Sequence, residues 1–368
     1  MTSGAPALPD AEYVLPLRWA DDRDLPDLAA YLGRLVGWLP VTVVDGSDDA
    51  RFAAHAVAFA PAVRHVRPEP HPGRNGKVAG VVTGLRLARA DRVVLADDDV
   101  RYDRPTLVAV LDRLAGADVV RPQNVFDPLP WHARWDTARM LVNRAAGGDY
   151  PGTLALRRTA LGPAGYDGDV LFENLELLRT VRARGGVVLR ADDLYVARRP
   201  PTTRHFLGQR PRQAYDSLAQ PARYAAELAV LPVAVLAARR RPRLLLALAA
   251  AACALAEVGR RRAGGAARFP ASADLLAPGW LVERGVCAWL ALVLRATGGA
   301  RYGGARLPRA ATPPRELRAR AAADPTRRAT ARPTRRATPD LTRATPDPAD
   351  GPAPGRRAPA PRHALETA

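Results

Sequence analysis

The segment Arg92-Val-Val-Leu-Ala-Asp-Asp-Asp99 decides the fold, because five residues typical of a strand run directly into three carboxylates. Before it, valine and leucine recur at helical spacing over residues 77–90, and residues 105–114 repeat this pattern after it. Another short apolar run follows at 118–120. Strands that alternate with helices favour a parallel sheet, in which the loops after the strands carry the chemistry.

The same alternation begins the chain. Tyr13 to Leu17 is a short apolar run of strand type, residues 25–39 have a helical pattern, and Val41-Thr-Val-Val44 is a second strand-like run. This run ends in the polar turn Asp45-Gly-Ser-Asp-Asp49. Together these elements predict an α/β domain over residues 10–220, with a mostly parallel sheet flanked by helices.

The composition of the 368 residues limits the possible folds. Apolar residues make up 48%, which is enough for one or two domains and excludes disorder of the whole chain. The net charge is +18, and 54 of the 55 basic residues are arginine, which indicates a GC-rich coding bias and makes the single lysine, Lys77, stand out. Cys253 and Cys287 lie in apolar stretches, so a disulfide framework and a cysteine zinc site are excluded. The six histidines show no paired ligand spacing, and residues 1–12 lack the features of a signal peptide.

Half of the net charge lies in residues 299–368. The segment Pro325-Thr-Arg-Arg-Ala-Thr330 recurs at 333–338, with few aromatic or branched apolar residues around it. Such a segment cannot offset the entropy lost on ordering, so we predict a disordered tail over 299–368. Adhesion of its arginines to anionic lipid or nucleic acid is the alternative. Because no aromatic residues interleave with them, a nucleic-acid partner is not expected.

Residues 221–298 are predicted to form an apolar, membrane-associated helical region. Its apolar stretches are 228–238, 244–256 and 275–294. The first two are shorter than the roughly 20 residues that span a bilayer, and the third contains Glu283 and Arg284. A single crossing would also place the arginines of 239–243 outside, against the positive-inside rule. These features favour helices that lie in the membrane interface or re-enter it; a soluble subdomain of buried, alanine-rich helices is the alternative.

The three aspartates would repel one another unless a cation or solvent neutralised them. In extended backbone Asp97 and Asp99 share a face, while Asp98 points away. Carboxylate oxygens, together with phosphate oxygens and water, suit Mg²⁺ or Mn²⁺, so the pair predicts a metal site. The alternative is a solvated turn that caps the helix beginning near Pro105.

Two more residues point to an anionic ligand at the same edge of the sheet. Asp45 follows a strand and precedes Gly46-Ser47, which allows close approach of a planar base or ribose; an ordinary Asx turn is the alternative. Lys77 opens a helix after Arg74-Asn-Gly76, so its ammonium and the helix N-terminus could both face an anion; a surface lysine is the alternative. Together they describe a pocket for a nucleotide diphosphate.

In this order the segments resemble the family 2 glycosyltransferases, which have the GT-A fold, and in particular membrane-associated bacterial members. The resemblance covers residues 13–213. It rests on Val43-Val-Asp-Gly-Ser-Asp-Asp49, Asn75-Gly-Lys77, Val94-Leu-Ala-Asp-Asp-Asp99, Gly152-Thr-Leu-Ala-Leu-Arg-Arg158, Phe172-Glu-Asn-Leu-Glu-Leu177 and Gln209-Arg-Pro-Arg-Gln213.

The resemblance implies a role for each segment. Asp45 would contact the nucleobase, Asp97 and Asp99 would hold the metal, and Gly152 would line the acceptor side. Trp131, four residues before Trp135 on a predicted helix, could stack on an acceptor; packing in the core is the alternative. The residues assigned to the nucleotide-sugar site are Pro16, Arg18, Asp45, Lys77, Asp97, Gln209 and Arg212.

The sequence departs from the family pattern at two positions. The usual catalytic base is an aspartate where this chain has Asn174, and an amide cannot act as a general base. Glu173 or Glu176 must then take the role, and Glu173 is the choice because it begins the helix nearest the loop; a helix N-terminal acid stabilised by the dipole is the alternative. Gln213 replaces the tryptophan that would stack on an acceptor sugar, which argues against processive polymerisation.

These features predict an inverting glycosyltransferase that moves a sugar from a nucleotide-diphospho-sugar to a hydroxyl of a lipid-linked or other glycan acceptor. It would require Mg²⁺ or Mn²⁺ and act at the cell membrane, in cell-envelope chemistry, with its catalytic domain in the cytoplasm. The alternative, favoured by Asn174, is a catalytically silent protein that binds nucleotide sugar or serves as a scaffold.

Overall fold

The structure is a computed structural model that describes Leu8 and residues 10–324. Eight strands form one sheet in the order β3-β2-β1-β4-β7-β6-β8-β5. β1 pairs in parallel with β2 and β4, and β2 with β3, whereas β7 runs antiparallel to β4 and β6. The strands are β1 (Ala11–Leu17), β2 (Val41–Asp45), β3 (Val63–Val66), β4 (Arg92–Ala96), β5 (Val100–Arg101), β6 (Val119–Phe126), β7 (Thr153–Arg157) and β8 (Val188–Arg198).

Helices cover both faces of this sheet, and apolar clusters fill the space on each side. One face packs against Leu28 and Leu32, and the other against Val78, Val81 and Leu177. The predicted mostly parallel sheet flanked by helices is therefore confirmed, and its topology fits the GT-A fold. The helices are α1 (Leu25–Leu35), α2 (Asp49–Ala58), α3 (Gly76–Leu87), α4 (Arg104–Asp112), α5 (Trp131–Ala146), α6 (Glu173–Ala183) and α7 (Thr203–Asp216).

α3 packs closely on β1 at Gly84, in its C-terminal half. A Cβ atom added to Gly84 would lie 2.2 Å from Val14 Cγ1, so only glycine allows this approach. Asn75 caps the helix, because its side-chain oxygen accepts a hydrogen bond from the Lys77 backbone N–H at 3.1 Å. Lys77 is thus held at the edge of the sheet where β1, β2 and β4 end.

Three further helices follow, namely α8 (Pro221–Arg240), α9 (Pro242–Arg261) and α10 (Ala277–Ala296). Each is 20 residues long, so α8 and α9 extend beyond the short apolar stretches at 228–238 and 244–256. By length and composition all three are able to cross a membrane. The number of crossings and the orientation of the catalytic domain stay predictions.

α9 packs against α5 at a point of close backbone approach. A Cβ atom on Gly259 would lie only 1.9 Å from the Leu141 carbonyl oxygen. Beside it, the fully buried Arg144 guanidinium donates to the carbonyl oxygens of Gly259 at 3.0 Å and Arg262 at 2.6 Å. The helical region is therefore joined to the sheet domain by buried hydrogen bonds, as well as by apolar contacts.

The predicted disordered tail is wrong for residues 299–324. They form a hairpin of β9 (Ala300–Tyr302) and β10 (Ala305–Leu307), followed by α11 (Pro314–Ala323). Ala300, Leu307 and Leu317 are buried, so this part of the segment gains enough apolar contact to order. The prediction failed because it relied on the average composition of 299–368, in which these few apolar residues have little weight. The repeated Pro-Thr-Arg-Arg-Ala-Thr segments lie outside the described residues.

Candidate active site

A cavity of about 1030 Å³ opens at the carboxyl ends of β1, β2 and β4. Residues from widely separated segments line it, as expected for a site at the end of a parallel sheet. The predicted residues in its wall are Pro16, Arg18, Lys77, Asp97, Asp99, Gly152, Glu173, Asn174, Gln209 and Arg212. Within the described part of the chain, Asp45 and Trp131 are the two predicted site residues outside this wall.

Lys77 connects two carboxylates across the cavity. Its Nζ lies 2.5 Å from Asp97 Oδ1 and 2.6 Å from Glu173 Oε1. Burial by itself would lower the pKa of Lys77, but attraction by Asp97 and Glu173 raises it well above the ordinary lysine value. The single lysine is therefore a charged bridge between β4 and α6, which excludes the surface-lysine alternative.

Asp99 presents an unsatisfied oxygen. Its Oδ2 accepts from Arg198 Nε at 2.7 Å, whereas the buried Oδ1 has no hydrogen-bond partner in the described structure. Burial and repulsion from Asp98 and Asp97 raise the pKa of Asp99 to about 6, although Arg198 opposes them. An orphaned carboxylate oxygen beside a second carboxylate fits a hard divalent cation such as Mg²⁺ or Mn²⁺.

The alternative role for the aspartates, capping the next helix, belongs to a different residue. Asp103 is the N-cap of α4, and its Oδ1 accepts from the Thr106 N–H at 2.7 Å. Asp98 also lines the cavity, and its side chain accepts a hydrogen bond from the Trp19 indole. The two outer aspartates therefore line the cavity without any capping duty.

The three polar residues at the start of α6 have different surroundings. Glu173 lines the cavity, and burial raises its pKa, although Lys77 opposes this effect. Asn174 also lines the cavity, but its side-chain amide donates to the Pro151 carbonyl at 3.2 Å. Glu176 is fully buried and accepts from the Thr312 N–H at 2.7 Å, outside the cavity. Of the two glutamates, Glu173 alone is in a position to meet a ligand there.

Asp45 lies behind the cavity wall, which its neighbours Val44 and Gly46 form. Its Oδ1 accepts from the Ser47 N–H at 2.8 Å, so the Asx turn considered as the alternative is present. Its Oδ2 lies 2.6 Å from His55 Nδ1 and 3.0 Å from His65 Nε2. These hydrogen bonds outweigh burial and hold the pKa of Asp45 well below its usual range. The carboxylate already has its partners, so the structure gives it no open contact for a nucleobase.

The side chains of Asp45, His55 and His65 also form a group whose possible metal-ligand atoms lie within 4.8 Å of one another. Hydrogen bonds already account for the arrangement of Asp45, His55 and His65. Sequence spacing concealed the group, since His55 lies on α2 and His65 on β3. Parallel pairing of β2 with β3 brings His65 to Asp45, and His55 reaches the same carboxylate from α2.

Gly152 and Trp131, both predicted for the acceptor side, differ in position. A Cβ atom on Gly152 would lie 2.8 Å from Asp97 Oδ2, so a larger residue here would collide with this carboxylate. The Gly152 N–H donates to Asn124 Oδ1 at 2.7 Å, which fixes the loop. Trp131 is 60% exposed at the start of α5 and contacts Phe206, so it is neither in the cavity nor in the core.

The hairpin of β9 and β10 adds residues that the sequence analysis missed. Tyr302 and Gly303 line the cavity, and Arg18 Nη1 donates to the Gly303 carbonyl at 3.1 Å. The Arg212 guanidinium lies over the Tyr302 ring, 5.0 Å from its centroid. A signal was present, because Tyr302-Gly-Gly304 is an aromatic residue followed by a turn, which is unusual in a low-complexity tail.

Comparison with known proteins gives similarity of structure alone. No family model matches the chain, and no curated protein does. A mannosyltransferase from Pyrobaculum calidifontis, solved with GDP-Man and Mn²⁺, is 19% identical over 87% of this chain and 82% of that chain, with a TM-score of 0.41. A glucosyl-3-phosphoglycerate synthase from Mycobacterium tuberculosis, solved with Mn²⁺, uridine diphosphate and glucosyl-3-phosphoglycerate, is 20% identical over 54% and 74%, with a TM-score of 0.35. TM-scores below 0.5 do not establish a common fold, so the GT-A assignment rests on the strand order of the sheet.

Proposed function

We propose that the protein is a metal-dependent, inverting glycosyltransferase that uses a nucleotide-diphospho-sugar. The observation that carries the proposal is the meeting of Asp97, Asp99, Glu173 and Arg212 around one cavity. These residues come from three distant segments, and they supply a cation site, a candidate base and a cation for phosphate. A cavity of about 1030 Å³ is also large enough for a nucleotide sugar.

The donor site is built on the two outer aspartates and on α7. Asp97 and the unsatisfied oxygen of Asp99 would hold Mg²⁺ or Mn²⁺, which when bound would act as a Lewis acid toward the leaving diphosphate. Arg212 and Gln209 line the same cavity, where Arg212 would donate charge-assisted hydrogen bonds to phosphate oxygens. Its stacking on Tyr302 holds the guanidinium in place before the ligand binds.

Glu173 is the proposed general base. It would take the proton of an acceptor hydroxyl while that oxygen attacks the anomeric carbon from the face opposite the diphosphate, which inverts the centre. A pKa raised by burial suits this task, because a stronger base accepts the proton more readily. Lys77 holds Glu173 Oε1 at 2.6 Å and so positions the carboxylate.

The acceptor is proposed to be lipid-linked or to lie near the cell membrane. Large apolar side chains are exposed on the three C-terminal helices, which is unusual for a surface that contacts only water. Leu246 on α9 is 72% exposed, and the arginines of 239–243, where α8 ends and α9 begins, are also exposed. Other exposed apolar residues are Leu236, Leu244, Leu255, Trp289, Leu290 and Val293. Apolar side chains beside arginines favour a membrane surface with anionic headgroups.

A second candidate function is a silent protein that binds nucleotide sugar without transfer. Asn174 favours it, since its amide is bound to the Pro151 carbonyl and cannot act as a base. In that case Glu173 and Lys77 would form only a structural ion pair. Both functions predict nucleotide binding, and transfer distinguishes them.

The test uses the purified full chain with Mn²⁺ and a panel of nucleotide sugars, with nucleotide binding and nucleotide release measured separately. We expect Glu173→Gln to bind nucleotide but to lose about 100-fold or more in turnover, because the base is removed. Glu176→Gln is the matched control on the same helix, and it should keep its turnover. Equal turnover in Glu173→Gln and wild type would reject the base, whereas wild-type binding without transfer to any acceptor tested would favour the silent protein.

A further inference from the structure

A second, smaller cavity adjoins the first. Its volume is about 130 Å³, and it lies among residues of α5, α7, α8 and α10. The two cavities share wall residues, so a ligand in one lies next to a ligand in the other. The shared residues are Tyr150, Phe172, Arg198, Gln213 and Asp216.

Four arginines line this second cavity, and three of them have carboxylate partners. Arg284 is the exception: it is only 1% exposed, and its Nε and Nη1 are buried without a hydrogen-bond partner among the described residues. Its guanidinium lies near the Trp280 ring, 5.5 Å from the centroid, which does not satisfy these donors. The paired arginines are Arg139 with Asp136 and Asp149, Arg198 with Asp99, and Arg223 with Glu227.

A buried guanidinium without hydrogen-bonded partners is costly, because its charge loses water. Glu227 attracts Arg284 from a distance, but its ion pair is with Arg223. Most buried polar groups in proteins are satisfied, so such an exception calls for an explanation. α10 packs against both α7 and α8, so Arg284 is shielded from water and forms part of the cavity wall. An anion bound in this cavity would supply the hydrogen-bond acceptors that Arg284 lacks.

We propose that this cavity is a subsite for a phosphate group on the acceptor, with Arg284 as its main ligand and Arg223 and Arg139 beside it. The inference rests on the proposed function, since it places the acceptor next to the donor cavity. A guanidinium binds phosphate through two parallel hydrogen bonds, a geometry that lysine does not offer. A lipid headgroup and a soluble phosphorylated acceptor both carry such a phosphate, with the same chemistry.

Asp216 in the shared wall fits this assignment. Its buried Oδ1 also has no hydrogen-bond partner in the described structure. Burial raises the pKa of Asp216 to about 7, against the opposing effect of Arg212 and Arg284. Near neutral pH a protonated fraction is therefore present, which can donate a hydrogen bond to a phosphate oxygen instead of repelling it.

The test compares wild type, Arg284→Gln and the control Arg64→Gln, which changes an exposed arginine outside both cavities. Melting temperature is followed as inorganic phosphate replaces chloride at constant ionic strength. We expect phosphate to stabilise wild type and Arg64→Gln, and to bind Arg284→Gln about tenfold more weakly. Without phosphate, Arg284→Gln should melt no lower than wild type, because the substitution removes a buried charge that has no hydrogen-bonded partner. If Arg284 were purely structural, its replacement would lower the melting temperature.

Arg284→Lys serves if the glutamine variant does not fold. It keeps the charge but loses the paired hydrogen bonds, so phosphate should bind it more weakly than wild type. Wild-type phosphate affinity in either folded variant would overturn the subsite. Binding of uridine or guanosine diphosphate with Mn²⁺, measured in the same proteins, separates the two proposals: its absence from wild type rejects the donor site, whereas its presence beside an Arg284-independent phosphate effect rejects the subsite alone.

Two probes then distinguish the source of the phosphate. A lipid headgroup predicts that vesicles of phosphatidylcholine with phosphatidic acid bind wild type more tightly than Arg284→Gln. A soluble acceptor predicts that octyl phosphate below its micelle concentration shows the Arg284 dependence and that vesicle binding does not. Either result supports the subsite, and independence of Arg284 with both probes overturns it.

Discussion

Asp45 and Asp99 both follow strands of the same sheet, yet the structure surrounds them differently. Asp45, at the end of β2, is bound by Ser47, His55 and His65 and is fully buried. Asp99, after β4, has one oxygen bound by Arg198 and another with no partner in the described structure. An aspartate whose oxygens are all engaged stabilises the fold, whereas one with a free oxygen beside a second carboxylate can bind a cation. The same sequence signal therefore occurs in two different surroundings.

The largest effect is expected for Asp99→Asn. An amide oxygen is a weaker ligand for a hard cation, and loss of the metal removes several kcal/mol of charge stabilisation. Turnover of nucleotide sugar should fall about 1000-fold or more, with the melting temperature changed much less. Turnover measured across a Mn²⁺ titration checks this. Full activity at low Mn²⁺ would make Asp99 structural, like Asp45.

Asp45→Asn should show the opposite balance between stability and activity. Losing the charged partner of two buried imidazoles should cost about 2–3 kcal/mol of unfolding free energy, and the protein that remains folded should keep most of its turnover. Urea unfolding followed by circular dichroism measures the first, and assays normalised to folded protein measure the second. A stable variant that binds nucleotide poorly would instead support the predicted contact between Asp45 and the nucleobase.

Gly152→Ala tests how closely Asp97 must be placed. The new methyl group would lie 2.8 Å from Asp97 Oδ2, so the carboxylate has to shift. A misplacement of about 1 Å can cost about 100-fold in rate, and we expect a loss of about 10-fold or more with little change in stability. Steady-state kinetics provide the measurement. A matched substitution outside the cavity, Gly116→Ala, has open space around its Cβ and should have no effect on rate.

Lys77→Gln should change the pH dependence of turnover. Lys77 lowers the pKa of Glu173, so its removal should raise that pKa further. A base works when it is deprotonated, and activity is lost as the pH falls through its pKa. The acidic limb of the pH–rate profile should therefore move to higher pH. An unmoved limb would mean that a group other than Glu173 titrates.

The smallest effect concerns acid stability at Asp45. Its pKa is held below the usual range in the folded state, so its contribution is present above the pKa of an unfolded aspartate, about 4. That contribution is lost as the pH falls through the lower, folded pKa. Wild type should therefore lose stability more steeply than Asp45→Asn below about pH 4. Parallel curves in pH-dependent unfolding would contradict the assignment.

Much of the fold could be predicted from local patterns. The strands at β1, β2 and β4 and the helices between them follow from apolar periodicity, and the carboxylates follow from their position after β4. The partners of Asp45 could not be predicted, because His65 reaches it through the pairing of β2 with β3, and His55 through the packing of α2 beside β2. The hairpin of β9 and β10 was missed for a different reason, since an average over 70 residues masks a few that pack well.

The sequence by itself determined the alternation of strands and helices, the acids at the strand ends and the apolar C-terminal helices, because each depends on neighbours within a few residues. The tertiary structure decided how each charge is used. It paired Lys77 with Asp97 and Glu173, satisfied Asp45, left Asp99 with an open oxygen and buried Arg284 without a partner. Hydrogen bonding and burial depend on residues far apart in the chain, and these two quantities decide whether a charged group supports the fold or remains free for a ligand.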